Sequence, residues 1–354
     1  MISKRVLSLA PYKTETTPAK IKLSSNELSI DFPEEVKKHI GEEVSKIPFN
    51  RYPDPEAHLL KEALAQRLGV SPENLMLGNG SDELIYYLSI GIGELNRGVF
   101  YPVPTFSMYR ISAQVLGRER VEVELEEGFD IDIQKSVEAI QEKKPILAYF
   151  AYPNNPTGNC FSEEKMRRIR SLGLFTVIDE AYYPYSGKSF MEEALKRDDT
   201  VVLHTLSKIG MAGLRVGFMV GKEEVIRELN KVRLPFNITY PSQVIARLML
   251  TEFYHLIEEE IKRVIKERER VYLELSKMEG IRVYPSCANF ILFKSLRIPA
   301  ELLHKKLVEE GVLIRDFSYM IPQCLRVSIG RTFENDAFLE AMEKVLKKIQ
   351  VFQK

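Results

Sequence analysis

The chain has 354 residues, 45% of them hydrophobic, and its fifty basic and fifty acidic side chains leave no formal net charge. That length buries one large core, or a large core with a smaller companion, and the charge balance leaves no broad positive field for nucleic acid or an anionic membrane. A small molecule is the expected partner.

The start, MISKRVLSLAPYK, has too few apolar residues before Pro11 for a signal peptide. No run reaches the roughly 18 apolar residues of a membrane-spanning helix. Three cysteines, Cys160, Cys287 and Cys324, are odd in number and far apart, a pattern that suits a reducing cytoplasm. The five histidines form no HxxH or HExxH arrangement, so no metal is expected.

From about Glu34 to about Thr239, helical-period segments alternate with short apolar runs, which predicts an α/β fold with helices on a mostly parallel sheet. SPENLMLGNGSDELIYYLSIGIG (71–93) reads as a strand, a turn and a helix opening at Ser81. The clearest strands are GVFYPV (98–103), ILAYFAYP (146–153), LFTVIDEAY (174–182), TVVLHTLS (200–207) and VGFMVG (216–221). Between them, SEEKMRRIRSLG (162–173) is a helix with Ser162 as N-cap and Gly173 as its stop. After Pro241, residues 242–279 read as one long charged helix without a turn signal, leading into a second unit. IRVYPSCANFILFK, a helix around ELLHKKLVEEG, the strands VLIRDF and CLRVSIG, and a closing helix then make an α+β module. The expected division is a large domain, 34–241, and a small one, 1–33 with 242–354. Functional residues are expected at the carboxyl ends of the strands.

Lys208, in HTLSKIGMAGLRVGF (204–218), stands at such an end among small residues. Partial desolvation there lowers an amine's pKa and suits it to Schiff-base chemistry, although a lone SK dipeptide is more often a plain loop. Asp179, directly after an apolar strand, could bind a metal or a ribose, or pair with the protonated ring nitrogen of pyridoxal phosphate; a strand-end acid also caps turns. YPNNPTGN (152–159) has the composition of an ordinary turn, with an Asn amide placed to reach a ligand.

PNNPTG, DEAY, TLSK and AGLRVGF, in this order, resemble the fold-type I pyridoxal-phosphate aminotransferases. The resemblance implies pyridoxal 5'-phosphate as cofactor, with Lys208 as covalent anchor and proton carrier. It places Asp179 on the ring nitrogen and Tyr182 and Asn155 on the ring oxygen. The phosphate would be held by Thr205, Ser207, Arg215 and the backbone N–H groups of Ser81 and Asp82 at a helix N-terminus, and Phe106 would stack on the ring. Seven positions separate Lys208 from Arg215, one fewer than in many members.

LAPYK (9–13), LSSNE (23–27), NRYPDPE (50–56), GVLIRDF and CLRVSIG extend the resemblance to the histidinol-phosphate branch over almost the whole chain. That branch implies a homodimer in which Tyr52 reaches the neighbouring subunit's cofactor phosphate. Arg315 and Arg326 would bind the anionic ends of histidinol phosphate and of 2-oxoglutarate or glutamate, with Tyr12, Asn26 and Asn289 closing the pocket. A broad-specificity aromatic aminotransferase, a threonine-phosphate decarboxylase and, in another class, a non-catalytic nucleotide-binding α/β protein are the alternatives.

Overall fold

The computed structural model describes residues 1–9 and 17–352. Its strands, in chain order, are β1 (Ile21–Lys22), β2 (Leu75–Asn79), β3 (Val99–Val103), β4 (Arg120–Glu124), β5 (Leu147–Ala151), β6 (Phe175–Asp179), β7 (Thr200–Thr205), β8 (Val216–Val220), β9 (Ile281–Val283), β10 (Phe290–Ser295), β11 (Val312–Leu313), β12 (Arg315–Asp316) and β13 (Cys324–Ser328). Seven of them form the central sheet in the order β2-β8-β7-β6-β5-β3-β4. β8 alone runs against its neighbours, and the remaining pairings are parallel.

Every residue of β5, β7 and β8 is buried, as strands covered on both faces require. Alternate side chains feed two cores. Phe100, Phe150, Ile178 and Val202 enter the larger one, and Tyr101, Tyr149, Val177 and Leu203 enter the smaller, under the helices Ser81–Gly91 and Ser107–Leu116. Each such large apolar side chain contributes roughly 1.5–3 kcal/mol of burial. β4, at the edge, alternates exposed and buried residues.

Parallel pairing brings the carboxyl ends of β3, β5, β6 and β7 to one edge. The reversed β8 begins there, with Val216 opposite Asn79 and Gly217 opposite Thr205. The loops after Val103, Ala151, Asp179 and Thr205, and Arg215 just before β8, therefore converge.

The C-terminal part forms an antiparallel sheet, β12-β13-β10-β9, backed by the helices Ala300–Glu309 and Thr332–Phe352. VLIRDF divides between sheets. Its first half, β11, pairs in parallel with β1 from the N-terminal segment, and its second half, β12, pairs with β13.

The single helix expected over 242–279 is two, Tyr240–Thr251 and Tyr254–Ser276. The helix is interrupted at Glu252 and Phe253, where Phe253 leaves helical geometry at φ −116° and ψ 11°. The reason is tertiary. The first helix packs on the helices His58–Leu68 and Glu34–Ser45, whereas the second packs on the last helix and β9. At the break Phe253 meets the His39 ring edge-on at 5.7 Å, and the Arg67 guanidinium lies 3.4 Å over the Tyr254 ring. Among the described residues, no helix is long and apolar enough to cross a membrane.

Candidate active site

A cavity of about 280 Å³ opens where the convergent strand ends face the C-terminal sheet. Its floor at one end is the start of the helix Ser81–Gly91, where Gly80 takes φ +78°. A β-carbon on Gly217 of the adjacent strand would sit 2.4 Å from Ser81 N and 2.6 Å from Gly80 C. The two glycines thus let the helix N-terminus lie against the sheet, with its free N–H groups and positive dipole end toward the cavity.

Around this end, the Thr205 hydroxyl accepts from Ser207 N at 3.1 Å and donates to Ser207 Oγ at 2.9 Å. Arg215 donates from Nη1 to Ser207 Oγ and pairs from Nη2 with Asp82, both at 3.3 Å. A short 3-10 turn, Ala212–Leu214, and a left-handed Arg215 at φ 54° carry the guanidinium back to these hydroxyls. The one-residue-shorter loop therefore still delivers it. Backbone donors at a helix start, two hydroxyls and an arginine form a site for a phosphate-like dianion.

Asp179 lies at the end of β6, only 4% exposed. Its Oδ2 accepts from Tyr109 Oη at 2.8 Å and its Oδ1 from Ala181 N at 3.2 Å. Burial pushes its pKa up to about 6 against these hydrogen bonds. A buried carboxylate lining a cavity favours a cationic partner there. Lys208 lies on the 3-10 turn after β7, with its Nζ 5.9 Å from the centre of the Tyr182 ring, and its carbonyl accepts from Tyr185 Oη at 2.5 Å. Phe106, at the N-cap of the helix Ser107–Leu116, also lines the cavity.

The PNNPTG turn is fixed by Asn154. Its side chain accepts from Thr105 at 2.7 Å and donates to Thr157 at 2.7 Å and to Pro104 O at 3.0 Å. Asn155 next to it lines the cavity and accepts at Oδ1 from Arg326. Arg326 is 5% exposed, donates to Ser24 O at 3.1 Å and lies over the Phe290 and Phe317 rings. Arg315 is its register partner on β12, and both side chains line the cavity. Cross-strand partners share a face, so two arginines from adjacent strands border the same cavity.

A family model described as aminotransferase class I and II matches residues 18–342. The chain belongs to the class I and II aminotransferases. Curated relatives of this aminotransferase include histidinol-phosphate aminotransferases from Aquifex aeolicus, 59% identical over 99% of both chains, and from Thermococcus gammatolerans, 38% identical over 98% of this chain and 97% of that one. Among solved structures, the histidinol-phosphate aminotransferase of Clostridium acetobutylicum superposes with TM-score 0.83 at 27% identity, covering 93% of this chain and 99% of that one. That of Sinorhizobium meliloti, in complex with pyridoxal-5'-phosphate, does so with TM-score 0.87 at 22% identity over 98% of both, a likeness of fold.

The aminotransferase brings Asn26, Ser81, Asp82, Phe106, Asn155, Asp179, Tyr182, Thr205, Ser207, Lys208, Arg215, Arg315 and Arg326 to the one cavity. Asn289 does not line it. The residue is fully buried behind Asn26, donating from Nδ2 to the Asn26 carbonyl at 3.0 Å; it lies in the bend just before the core strand β10. Tyr52 lies away from the cavity lining, 79% exposed and stacked on Phe236 at 4.5 Å. Tyr12 falls outside the described residues. Sequence reasoning missed Ser24, Ser25, Thr105, Ser107, Phe317, Tyr319 and Met320, which also line it. They share the short stretches LSSNE, PTFSM and IRDFSYM with residues that were singled out.

Proposed function

We propose that this aminotransferase transfers an amino group between L-histidinol phosphate and 2-oxoglutarate in ping-pong fashion, with pyridoxal 5'-phosphate as resident cofactor. The observation that carries the reading is the paired Arg315 and Arg326 bordering the same cavity as a second anion site, in a chain alike from end to end to histidinol-phosphate aminotransferases. Two separate anion sites suit a cofactor phosphate and a substrate that carries its own.

The residues present fit that cofactor. A buried carboxylate, an amine, an aromatic ring and a helix start beside two hydroxyls and an arginine all border one cavity. When bound, pyridoxal phosphate supplies a carbonyl carbon that takes the amino group and a ring that draws electrons away from it. Lys208 anchors the cofactor and moves the proton off and onto the substrate carbon. Asp179 pairs with the ring nitrogen, Tyr182 and Asn155 bind the ring oxygen, and Phe106 covers one ring face. Thr205, Ser207, Arg215 and the N–H groups of Ser81 and Asp82 hold the phosphate. Arg326, fixed on Asn155 and Ser24, orients the substrate anion together with Arg315, which keeps the reacting carbon beside Lys208; Asn26 closes the pocket.

The same reading makes residues 34–241 the large domain and 1–33 with 242–354 the small one, working in the cytoplasm. It makes the protein a homodimer in which Tyr52 completes the neighbouring phosphate site. The exposure of Tyr52, Phe49 and Leu234 (79%, 72% and 63%) supports that face as a contact with a second copy.

The test is a half-reaction assay of the cofactor-loaded protein with histidinol phosphate beside phenylalanine, tyrosine and aspartate. Fast bleaching by histidinol phosphate, reversed by 2-oxoglutarate, is expected. Equal rates with the aromatic amino acids, or release of CO₂ without 2-oxoglutarate, would overturn the substrate assignment.

A further inference from the structure

Tyr109 is fully buried and lies outside the cavity lining, yet its hydroxyl donates to Asp179 Oδ2 at 2.8 Å. Its ring is stacked on Tyr149, 4.7 Å between centroids and 3° between planes, and meets the cavity-lining Phe106 edge-on at 5.8 Å. Tyr149 is held in turn by hydrogen bonds to Ser89 Oγ at 2.9 Å and Ile85 O at 3.1 Å. The phenol therefore has little freedom to leave the carboxylate. Burial pushes its own pKa well up, so it remains a protonated donor.

We propose that Tyr109 is a positioning residue for the reaction, fixing the Asp179 carboxylate in its charged form against the ring nitrogen of the cofactor while its ring sets the tilt of Phe106. The inference rests on the reading of Asp179 as the ring-nitrogen partner. A carboxylate this deeply buried tends to take up a proton, and a neutral acid cannot stabilise a protonated pyridine. Two groups hold the charge by hydrogen bonding, Tyr109 on Oδ2 and the Ala181 N–H on Oδ1. Asp82 opposes them and His204 supports them at longer range. Only the Tyr109 hydroxyl can be deleted with one oxygen atom and no change of backbone.

The experiment uses the full-length protein loaded with pyridoxal phosphate labelled with ¹⁵N in the ring, comparing wild type, Tyr109→Phe and Tyr149→Phe. Tyr109→Phe keeps the stack and removes the donor. Its ring ¹⁵N resonance should move toward the neutral pyridine position, its cofactor dissociation constant should rise about tenfold or more, and kcat should fall about 10- to 100-fold with KM nearly unchanged, the range for a hydrogen bond to a charged group. Tyr149→Phe, which loses a buried hydroxyl of the same stack without touching Asp179, should keep the wild-type resonance. If Tyr109→Phe does not fold, 3-fluorotyrosine at position 109 makes the hydroxyl a stronger donor in an intact stack and should shift the resonance the opposite way. A wild-type resonance and kcat in Tyr109→Phe, or equal shifts in both Phe variants, overturns the proposal. Failure of the wild type to bind pyridoxal phosphate would instead overturn the cofactor reading beneath it.

Discussion

Asn26 donates from Nδ2 to the Tyr182 phenol oxygen at 2.9 Å, joining a residue tied to the C-terminal sheet to one that follows β6 of the central sheet. Asn26 is itself clamped. Its N–H donates to Ser328 Oγ at 2.8 Å, its Oδ1 accepts from the same hydroxyl at 3.0 Å, and its carbonyl receives Asn289. It holds φ at 56°, a left-handed conformation that Asn and Gly tolerate and Ala resists. Asn26→Gly should therefore destabilise the protein by about 1–3 kcal/mol through the lost buried hydrogen bonds, and Asn26→Ala by about 1 kcal/mol more. Denaturant unfolding of the two variants checks the order; an Ala variant at least as stable as the Gly one would contradict it.

Asp179 gives the cofactor-free protein a specific pH dependence. Its folded pKa of about 6 lies above its ordinary value of 3.8 because burial disfavours the charge. The folded state thus holds this proton more tightly than the unfolded state. The associated stability is fully present below about 4 and is lost as pH rises through about 6. The rise from 3.8 to about 6 corresponds to on the order of 3 kcal/mol. Asp179→Asn should remove this slope, so the difference in Tm between cofactor-free wild type and variant should change between pH 4 and 6 and stay flat above 7. Parallel curves across that window would rule the effect out.

Arg315 and Arg326 face one another in register. Arg315→Gln should raise KM for histidinol phosphate about 10- to 100-fold, the loss expected for a charge-assisted contact. Its cofactor affinity should stay near wild type, because the helix-start site does not use it. Arg326→Lys should be worse in kcat as well, since an ammonium cannot span Asn155, Ser24 and the substrate together as the planar fork does. Steady-state kinetics with histidinol phosphate, alongside a cofactor titration, separates the two effects.

Gly217→Ala should weaken the phosphate cradle from behind. The added methyl meets backbone at 2.4 and 2.6 Å, so the start of the helix must move. A loss of about 1–3 kcal/mol in unfolding free energy is expected together with weaker retention of the cofactor on dialysis. Normal retention would mean that the helix start does not carry the phosphate.

Much of this site was legible because its residues stand at strand ends. Asp179, Thr205 and the turn at Asn155 follow apolar runs whose parallel pairing obliges their ends to meet, and a sequence shows such runs directly. Tyr109 was not legible: it lies inside the helix Ser107–Leu116, and its hydroxyl finds Asp179 only once that helix packs on the sheet. Asn289 was named from the resemblance alone; the structure buries it just before β10, where it donates to the Asn26 carbonyl, a tertiary contact that no local pattern in CANF encodes. The break at Glu252–Phe253 carries no glycine or proline. It exists because the helices on either side pack on different partners, which a local pattern does not encode.

The parallel pairing of β1 with β11 sets an order on biosynthesis. Ile21 emerges from the ribosome early but has its strand partner only when Val312 follows. At roughly 5–20 residues per second, that wait is about 15–60 seconds. The central sheet has all its strands once residue 220 is made, whereas Ser24 and Asn26 take their places only after Arg326 and Ser328 exist to hold them. A nascent chain can therefore build the phosphate cradle long before it can close a substrate pocket, and the finished pocket certifies that translation has passed Ser328.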